Sequence, residues 1–355
     1  MIIDAHAHLS APAELYAYKS VLLSARGSHG RGGVHVTDDQ LREAALSDPN
    51  GRHMAHIPYI DSLGTDMQAV SPRPYQLMHS EKPAKIVQWF CEENNNLIHR
   101  QAALFPDRFF GIAGLPQPAG EPVTLAIKEL ERCVNELGFK GCLLNPDPYE
   151  NTGSHPPALG DKYWYPLYEK LCELDVPAHI HGTGSRADRE PYTLRFINEE
   201  TTAIYGLLNS KVFDDFPKLK IIVSHGGGAM PFQLGRFQAG TIRMGAKDPK
   251  HLFSEKMKKL YYDTVLYSPE AVEFLIKVVG PDQCLFGSEC PGTGSRIDPR
   301  TGRPLDDVAP SITDIGWLTD KQRQDILAGN AIKLFKLDVK ADAQGRAKGR
   351  AKAAE

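Results

Sequence analysis

Two histidines with one residue between them close the first apolar run of the chain: His6 and His8 end Met1–His8. His181 ends the run Val176–His181, His225 ends Leu219–His225, and Glu289 ends Cys284–Glu289. In an extended strand, residues two apart point to the same side, so His6 and His8 can face one axis. Imidazoles and a carboxylate converging there suit a borderline divalent ion, with zinc the expected occupant. The expected ligands are His6, His8, His181 and Glu289. Such an ion lowers the pKa of bound water toward neutrality and can orient a hydroxyl. A lone histidine in an apolar run is more often a packed residue than a ligand. The signal lies in the set: an HxH pair, a strand-end histidine and a strand-end carboxylate in chain order. His179 shares a face with His181 but lies deeper in its run, which reads as support or core. His225 is expected as a donor to substrate and an acid/base partner. The alternatives for it are a ligand or an anchor for the turn Gly226–Gly228.

These groups can meet only if the runs that carry them lie side by side. Eight β-rich runs recur: Met1–His8, Thr65–Ser71, Phe109–Leu115, Phe139–Leu144, Val176–His181, Leu219–His225, Leu260–Thr264 and Cys284–Glu289. Helical patterns separate several of them. Pro83–Gln101 brings Ile86, Trp89, Phe90 and Leu97 near one face at a 3.6-residue period. Pro122–Leu137 does the same and stops at Gly138, while Tyr165–Asp175 and Pro269–Val279 are similar. Strand followed by helix, repeated eight times, predicts an α/β fold: a single (β/α)8 TIM-type barrel. An open, doubly wound sheet is the alternative. Barrel active sites sit at the C-terminal ends of the strands, where the histidines and Glu289 stand. The barrel domain is expected over residues 1–339, with an insertion over its mouth at 9–64 after the first strand. Residues 340–355, rich in Ala, Lys, Arg and Gly, are expected to form a disordered tail.

The rest of the sequence narrows the function. The 355 residues carry a formal net charge of −3, so no basic field points to nucleic acid. No apolar run approaches the roughly 18 residues of a membrane helix. The N-terminus has no signal-peptide pattern, and the six cysteines are scattered without a CxxC pair. Free thiols and a cytoplasmic protein are the expectation. The glycine-rich Gly27–Gly33 is not followed by Gly-Lys-Ser/Thr, which excludes a phosphate loop.

Ile3-Asp4-Ala5-His6-Ala7-His8 resembles the opening motif of the amidohydrolase superfamily. Val176-Pro177, then three residues and His181, resembles the strand 5 motif of its decarboxylase branch, which acts on aminocarboxymuconate semialdehyde and resorcylates. Five further segments resemble a hydratase family within that branch, the 4-oxalomesaconate hydratases. They are Ser71–Pro74, Asn145–Asn151, Pro177–His181, Ser224–Gly228 and Phe286–Gly292. The likeness runs over roughly residues 1–338. The decarboxylases carry Asp at the strand 8 position, whereas this chain has Glu289.

The resemblance implies reversible hydration of a carbon–carbon double bond in a tricarboxylic 2-oxo acid of aromatic degradation. Glu289 would then serve as ligand and as the group handling protons, with His225 as its partner. A decarboxylase of an aromatic or muconate-type acid is the competing reading. The strand 4 lysine of two-metal members is absent, because strand 4 ends Leu143-Leu144-Asn145, so one ion is implied. Three carboxylates need donors. Arg73 is the expected carboxylate clamp, against the simpler reading of a surface arginine stiffened by Pro72 and Pro74. Ser71, Asn145 and Tyr192 are expected to donate to substrate oxygens, and His29 and Arg31 to belong either to a lid or to a mobile solvated loop. Family habit implies a homodimer.

Overall fold

Each of the eight apolar runs contains a strand in the computed structural model, which describes residues 1–47, 55–341 and 347–349. The strands are β1 Ile3–His8, β2 Met67–Ser71, β3 Phe109–Gly111, β4 Cys142–Leu144, β5 Ala178–Ile180, β6 Ile221–Val223, β7 Tyr261–Asp263 and β8 Cys284–Leu285. They pair in parallel and in chain order, as β1-β2-β3 and β4-β5-β6-β7-β8. Two seams join these sheets. Ala113 bridges Cys142 in parallel, and Ala113 N donates to Gly141 O at 2.9 Å. Ala7 bridges Cys290, and Ala5 N donates to Phe286 O at 2.8 Å. The ring is therefore continuous, and the fold is the expected (β/α)8 barrel rather than an open sheet. Most strands are shorter than the runs that announced them, because only part of each run reaches its neighbours' backbone.

The helices follow the apolar stripes. The first seven in chain order are α1 Ala13–Ala25, α2 Asp38–Leu46, α3 His56–Ser62, α4 Ala84–Leu104, α5 Ile127–Asn135, α6 Tyr165–Leu174 and α7 Tyr192–Leu208, and the expected helix Pro269–Val279 follows further on. Pro122–Leu137 is not one helix. A 3-10 turn over Val123–Ala126 precedes α5, and Phe139 follows Gly138, whose φ is +71°. Helix α4 buries Ile86, Phe90 and Leu97 against the barrel, with Trp89 half-buried. No helix among the described residues is long and apolar enough to cross a membrane.

Inside the barrel, the N-terminal end is closed by apolar side chains. Ile3, Ala5, Met67, Phe110, Leu143, Ile222 and Leu285 pack with Ala331, Leu334 and Phe335 of the helix Asn330–Phe335. That helix plugs the bottom of the barrel and leaves the polar chemistry for the top. The register between β1 and β2 is irregular between Asp4 and Ala7. The irregularity changes the strand's parity. Ile3 and Ala5 join the inner core, yet His6 and His8, of opposite parity, reach the site.

The segment 9–64 is not a bare loop. It carries α1, α2 and α3, with residues 48–54 outside the described residues. At the C-terminal end Val339–Ala341 pairs antiparallel with Ala347–Gly349. The remainder of 340–355 lies outside the described residues.

Candidate metal centre

The strand ends bring His6, His8, His181 and Glu289 together, with one ligand atom from each within 4.8 Å of the others. All four are buried. The orientation of each imidazole follows from its outer partner. Asp263 Oδ2 lies 2.7 Å from His6 Nδ1, and a carboxylate only accepts, so Nδ1 carries the hydrogen. His181 Nδ1 lies 2.6 Å from the Gly182 carbonyl and is a donor for the same reason. His8 Nδ1 lies 3.0 Å from Ser71 Oγ, whose own hydrogen goes to the Ala7 carbonyl at 3.1 Å, so His8 donates too. Each ring therefore turns a bare Nε2 lone pair toward the centre. Nε2 of His6 and of His181 has no partner although both atoms are buried.

Orphaned buried acceptors are rare, and two of them, converging with His8 Nε2 on a carboxylate, describe a cation site. Glu289 Oε1 stands 3.9 Å from His8 Nε2 and 4.0 Å from His181 Nε2. A four-coordinate ion with bonds of about 2.0–2.2 Å sets its donors roughly 3–4 Å apart, so the residues fit such an ion. The protonation states agree. Burial pushes His8 down to about 3 and His181 well below the ordinary histidine value, leaving both neutral. Burial opposes ionisation of Glu289, but the charged His225 ring at 3.4 Å holds it well below the carboxylate range. Neutral imidazoles and a charged carboxylate are the forms that ligate metals.

His225 lies beside this set. Its Nδ1 faces Glu200 Oε2 at 2.9 Å, and its Nε2 faces Glu289 Oε1 at 3.4 Å. Burial works against a charged ring, yet the Glu200 carboxylate raises His225 well above its ordinary value. Strands β6 and β8 end before His225 and Glu289, which lie in turns instead. Their φ angles are 51° and 60°, a region that non-glycine residues occupy at a cost and that clusters at functional sites. The glycines Gly226–Gly228 continue the left-handed path after His225.

A cavity of 870 Å³ opens over the C-terminal end of the barrel. Its walls include Ser10 just after β1, Arg73 just after β2, Tyr192 and Gly292–Thr293. Arg73 makes no ion pair among the described residues. Tyr192 begins α7, 48% exposed, with its ring edge-on to Tyr75 and Phe196. Two expected substrate donors are placed differently. Ser71 is turned under His8 and engaged there. Asn145 bonds His79 through Nδ2 and accepts from Asp147 N through Oδ1 at 3.0 Å. Both are buried, and short polar side chains at strand ends reach the nearest backbone and ring nitrogens before they reach the mouth. His29 and Arg31 do not line the cavity. Arg31 pairs with Glu92 and Glu93 of α4, so the glycine-rich segment is strapped to the barrel's outside. The cavity walls from the insertion come instead from Ser10–Glu14, α2, Ala55, His56 and Tyr59.

Three site residues had escaped sequence reasoning. Asp263 ends β7 and also lies 3.5 Å from His179 Nε2, which makes His179 a deeper member of the same network. Its strand-end position was the available signal. Glu200, in the middle of α7, and Tyr267, whose hydroxyl donates to Glu289 Oε2 at 2.7 Å, give none.

A family profile described as Amidohydrolase matches residues 3–337. The chain is 38% identical to a 2-keto-4-carboxy-3-hexenedioate hydratase of Sphingobium sp. over 351 residues, 97% of this chain and 99% of that protein. It is similar to the crystal structure of 4-oxalomesaconate hydratase from Rhodopseudomonas palustris, with a TM-score of 0.82 and 32% identity, covering 95% and 96% of the two chains. A manganese-bound dihydroxybenzoic acid decarboxylase from Polaromonas sp. aligns with a TM-score of 0.70 and 25% identity, over 94% of this chain and 96% of that one.

Proposed function

The chain belongs to the amidohydrolase family, and from that premise we propose that it is a metal-dependent hydro-lyase acting on 4-oxalomesaconate. The reaction is reversible addition of water across the carbon–carbon double bond, giving 4-carboxy-4-hydroxy-2-oxoadipate. It belongs to the protocatechuate 4,5-cleavage route. The observation that carries the reading is Glu289 beside His225 in the metal centre, in a chain matching a named hydratase end to end. The ion is a single divalent metal held by His6, His8, His181 and Glu289. Zinc is the proposed identity because nitrogen donors outnumber oxygen in a set of four. When bound, it supplies Lewis acidity and a water that ionises near neutral pH.

The protein's own groups supply the rest. Water adds at the carbon bearing the extra carboxylate, and a proton joins the carbon beside the ketone. Glu289 Oε1, ionised and 3.4 Å from His225 Nε2, takes a proton from the attacking water. His225, held charged by Glu200, is the proton donor on the other side. Arg73 holds a substrate carboxylate with its fork, and Tyr192 donates to a second oxygen at the cavity wall. Ser71 and Asn145 contribute by holding His8 and the loop after β4. Glu289 in place of the decarboxylases' Asp favours hydration over loss of carbon dioxide. The six cysteines are unpaired, which supports a cytoplasmic setting.

The test is purified, metal-analysed enzyme given 4-oxalomesaconate. Loss of the conjugated chromophore without carbon dioxide release is expected. Release of carbon dioxide would transfer the protein to the decarboxylases.

A further inference from the structure

We infer that Tyr267 decides how Glu289 binds its ion, by occupying Oε2 so that Oε1 alone faces the histidines. The inference rests on the reading of Glu289 as a ligand. A free carboxylate can bind a cation through one oxygen or both. Here the two oxygens have different neighbours. Oε2 accepts from the Tyr267 hydroxyl at 2.7 Å. Oε1 faces Nε2 of His225, His8 and His181 at 3.4, 3.9 and 4.0 Å. One oxygen is anchored to the scaffold and the other is presented to the site.

The surroundings are built for that contact. Tyr267 has a φ of 54°, in the left-handed region that glycine favours and an aromatic residue occupies at a cost. A Cβ on Gly294 would stand 2.4 Å from Tyr267 Cε1 and 2.6 Å from Cζ, so only glycine lets the ring pass. A Cβ on Gly292 would stand 2.3 Å from the Glu289 carbonyl oxygen. The two glycines that follow Glu289 thus make room for the turn and for the ring that grips it. Tyr267 does not line the 870 Å³ cavity, so it acts through Glu289 and is a positioning residue.

The consequence concerns coordination and turnover together. Bound through one oxygen, the carboxylate completes a four-coordinate set with the three histidines, which can expand to five to take water, whereas binding through both oxygens would fill that fifth position. The experiment compares native enzyme with Tyr267→Phe, each loaded with Co(II) in place of zinc, without substrate. The variant's visible absorption should weaken, as it does when tetrahedral cobalt becomes five-coordinate. Loaded with zinc, it should hold the same metal per chain and keep KM within about threefold. Its kcat should fall about ten- to hundred-fold, the usual cost of losing an outer-shell partner. Gly294→Ala displaces the hydroxyl without deleting it and should weaken the cobalt spectrum in the same direction. Cobalt spectra and kcat equal to native in Tyr267→Phe would overturn the inference. So would failure of both variants to fold, which would make the tyrosine a scaffold residue. Native enzyme that leaves 4-oxalomesaconate unchanged would count against the proposed reaction while leaving the cobalt comparison intact.

Discussion

Glu200 Oε2 and His225 Nδ1 meet at 2.9 Å with both residues buried, and the same carboxylate accepts from Gly182 N at 3.0 Å. Glu200 therefore ties the ring that faces Glu289 to the backbone that follows His181. Glu200→Gln keeps an oxygen for Nδ1 but removes the charge that holds the ring protonated. Loss of one charge-assisted hydrogen bond costs about 1.5–3 kcal/mol, so kcat should fall roughly ten- to hundred-fold with metal content unchanged. Steady-state kinetics on metal-analysed protein check this, and native kcat would reduce the pair to packing.

The metal count is the second expectation. The four-donor set takes one ion. The other cluster, His6, His179 and Asp263, has its atoms turned on one another, with Asp263 accepting from His6. Elemental analysis should give one equivalent per chain, and chelation should remove it together with activity. Two equivalents would make the second cluster a binding site.

Arg73 lines the cavity and pairs with nothing among the described residues, unlike the buried Arg195, which meets Glu199 at 2.9 Å and also holds Asp147. Arg73→Lys keeps the charge and loses the two-pronged geometry. About 1.5–3 kcal/mol should be lost, or roughly ten- to hundred-fold in kcat/KM. Native kinetics in the variant would return Arg73 to the surface.

Stability should fall in acid for a reason separate from the metal. His56 and His79 are buried neutral, and burial pushes them down to about 4 and about 3 from 6.5. The unfolded chain binds these protons below pH 6.5, and the folded chain does not until far lower. Their contribution is complete above pH 6.5 and is lost progressively as pH falls toward 4, by at most about 1.4 kcal/mol per pH unit for each ring. Urea melts of metal-free protein at pH 7, 6 and 5 should show a shallower decline for His79→Gln than for native. Parallel declines would show that the buried ring does not titrate on unfolding.

What the sequence disclosed follows from physics of short range. Strand-end histidines and apolar runs are periodic and local, so the barrel order and the His6, His8, His181 and Glu289 grouping were readable. The β1 register irregularity was not, although without it His6 would fall out of step with Ile3 and Ala5. Glu200 and Tyr267 act across 25 and 22 residues of chain, and no local pattern marks such contacts. Ser71 was placed at the correct end of β2, but its partner depended on which neighbour lay nearest, which only three-dimensional packing decides.

Glu289 separates chemistry from ligation most sharply. Its Oε1 serves both the histidines and His225, while Oε2 is held by Tyr267. Glu289→Gln keeps the length and removes charge and basicity. Glu289→Asp keeps the charge but retracts it by roughly one C–C bond, and a misplacement of ~1 Å can cost about a hundred-fold in rate. It also pulls the carboxylate away from Tyr267. With zinc saturating, Glu289→Asp should retain metal and lose most turnover. Glu289→Gln should bind the substrate acids and turn over little. If Glu289 were a ligand alone, added zinc would rescue Glu289→Gln to near-native kcat. That rescue would remove the acid/base role, whereas full metal occupancy with lost turnover assigns the proton to Glu289.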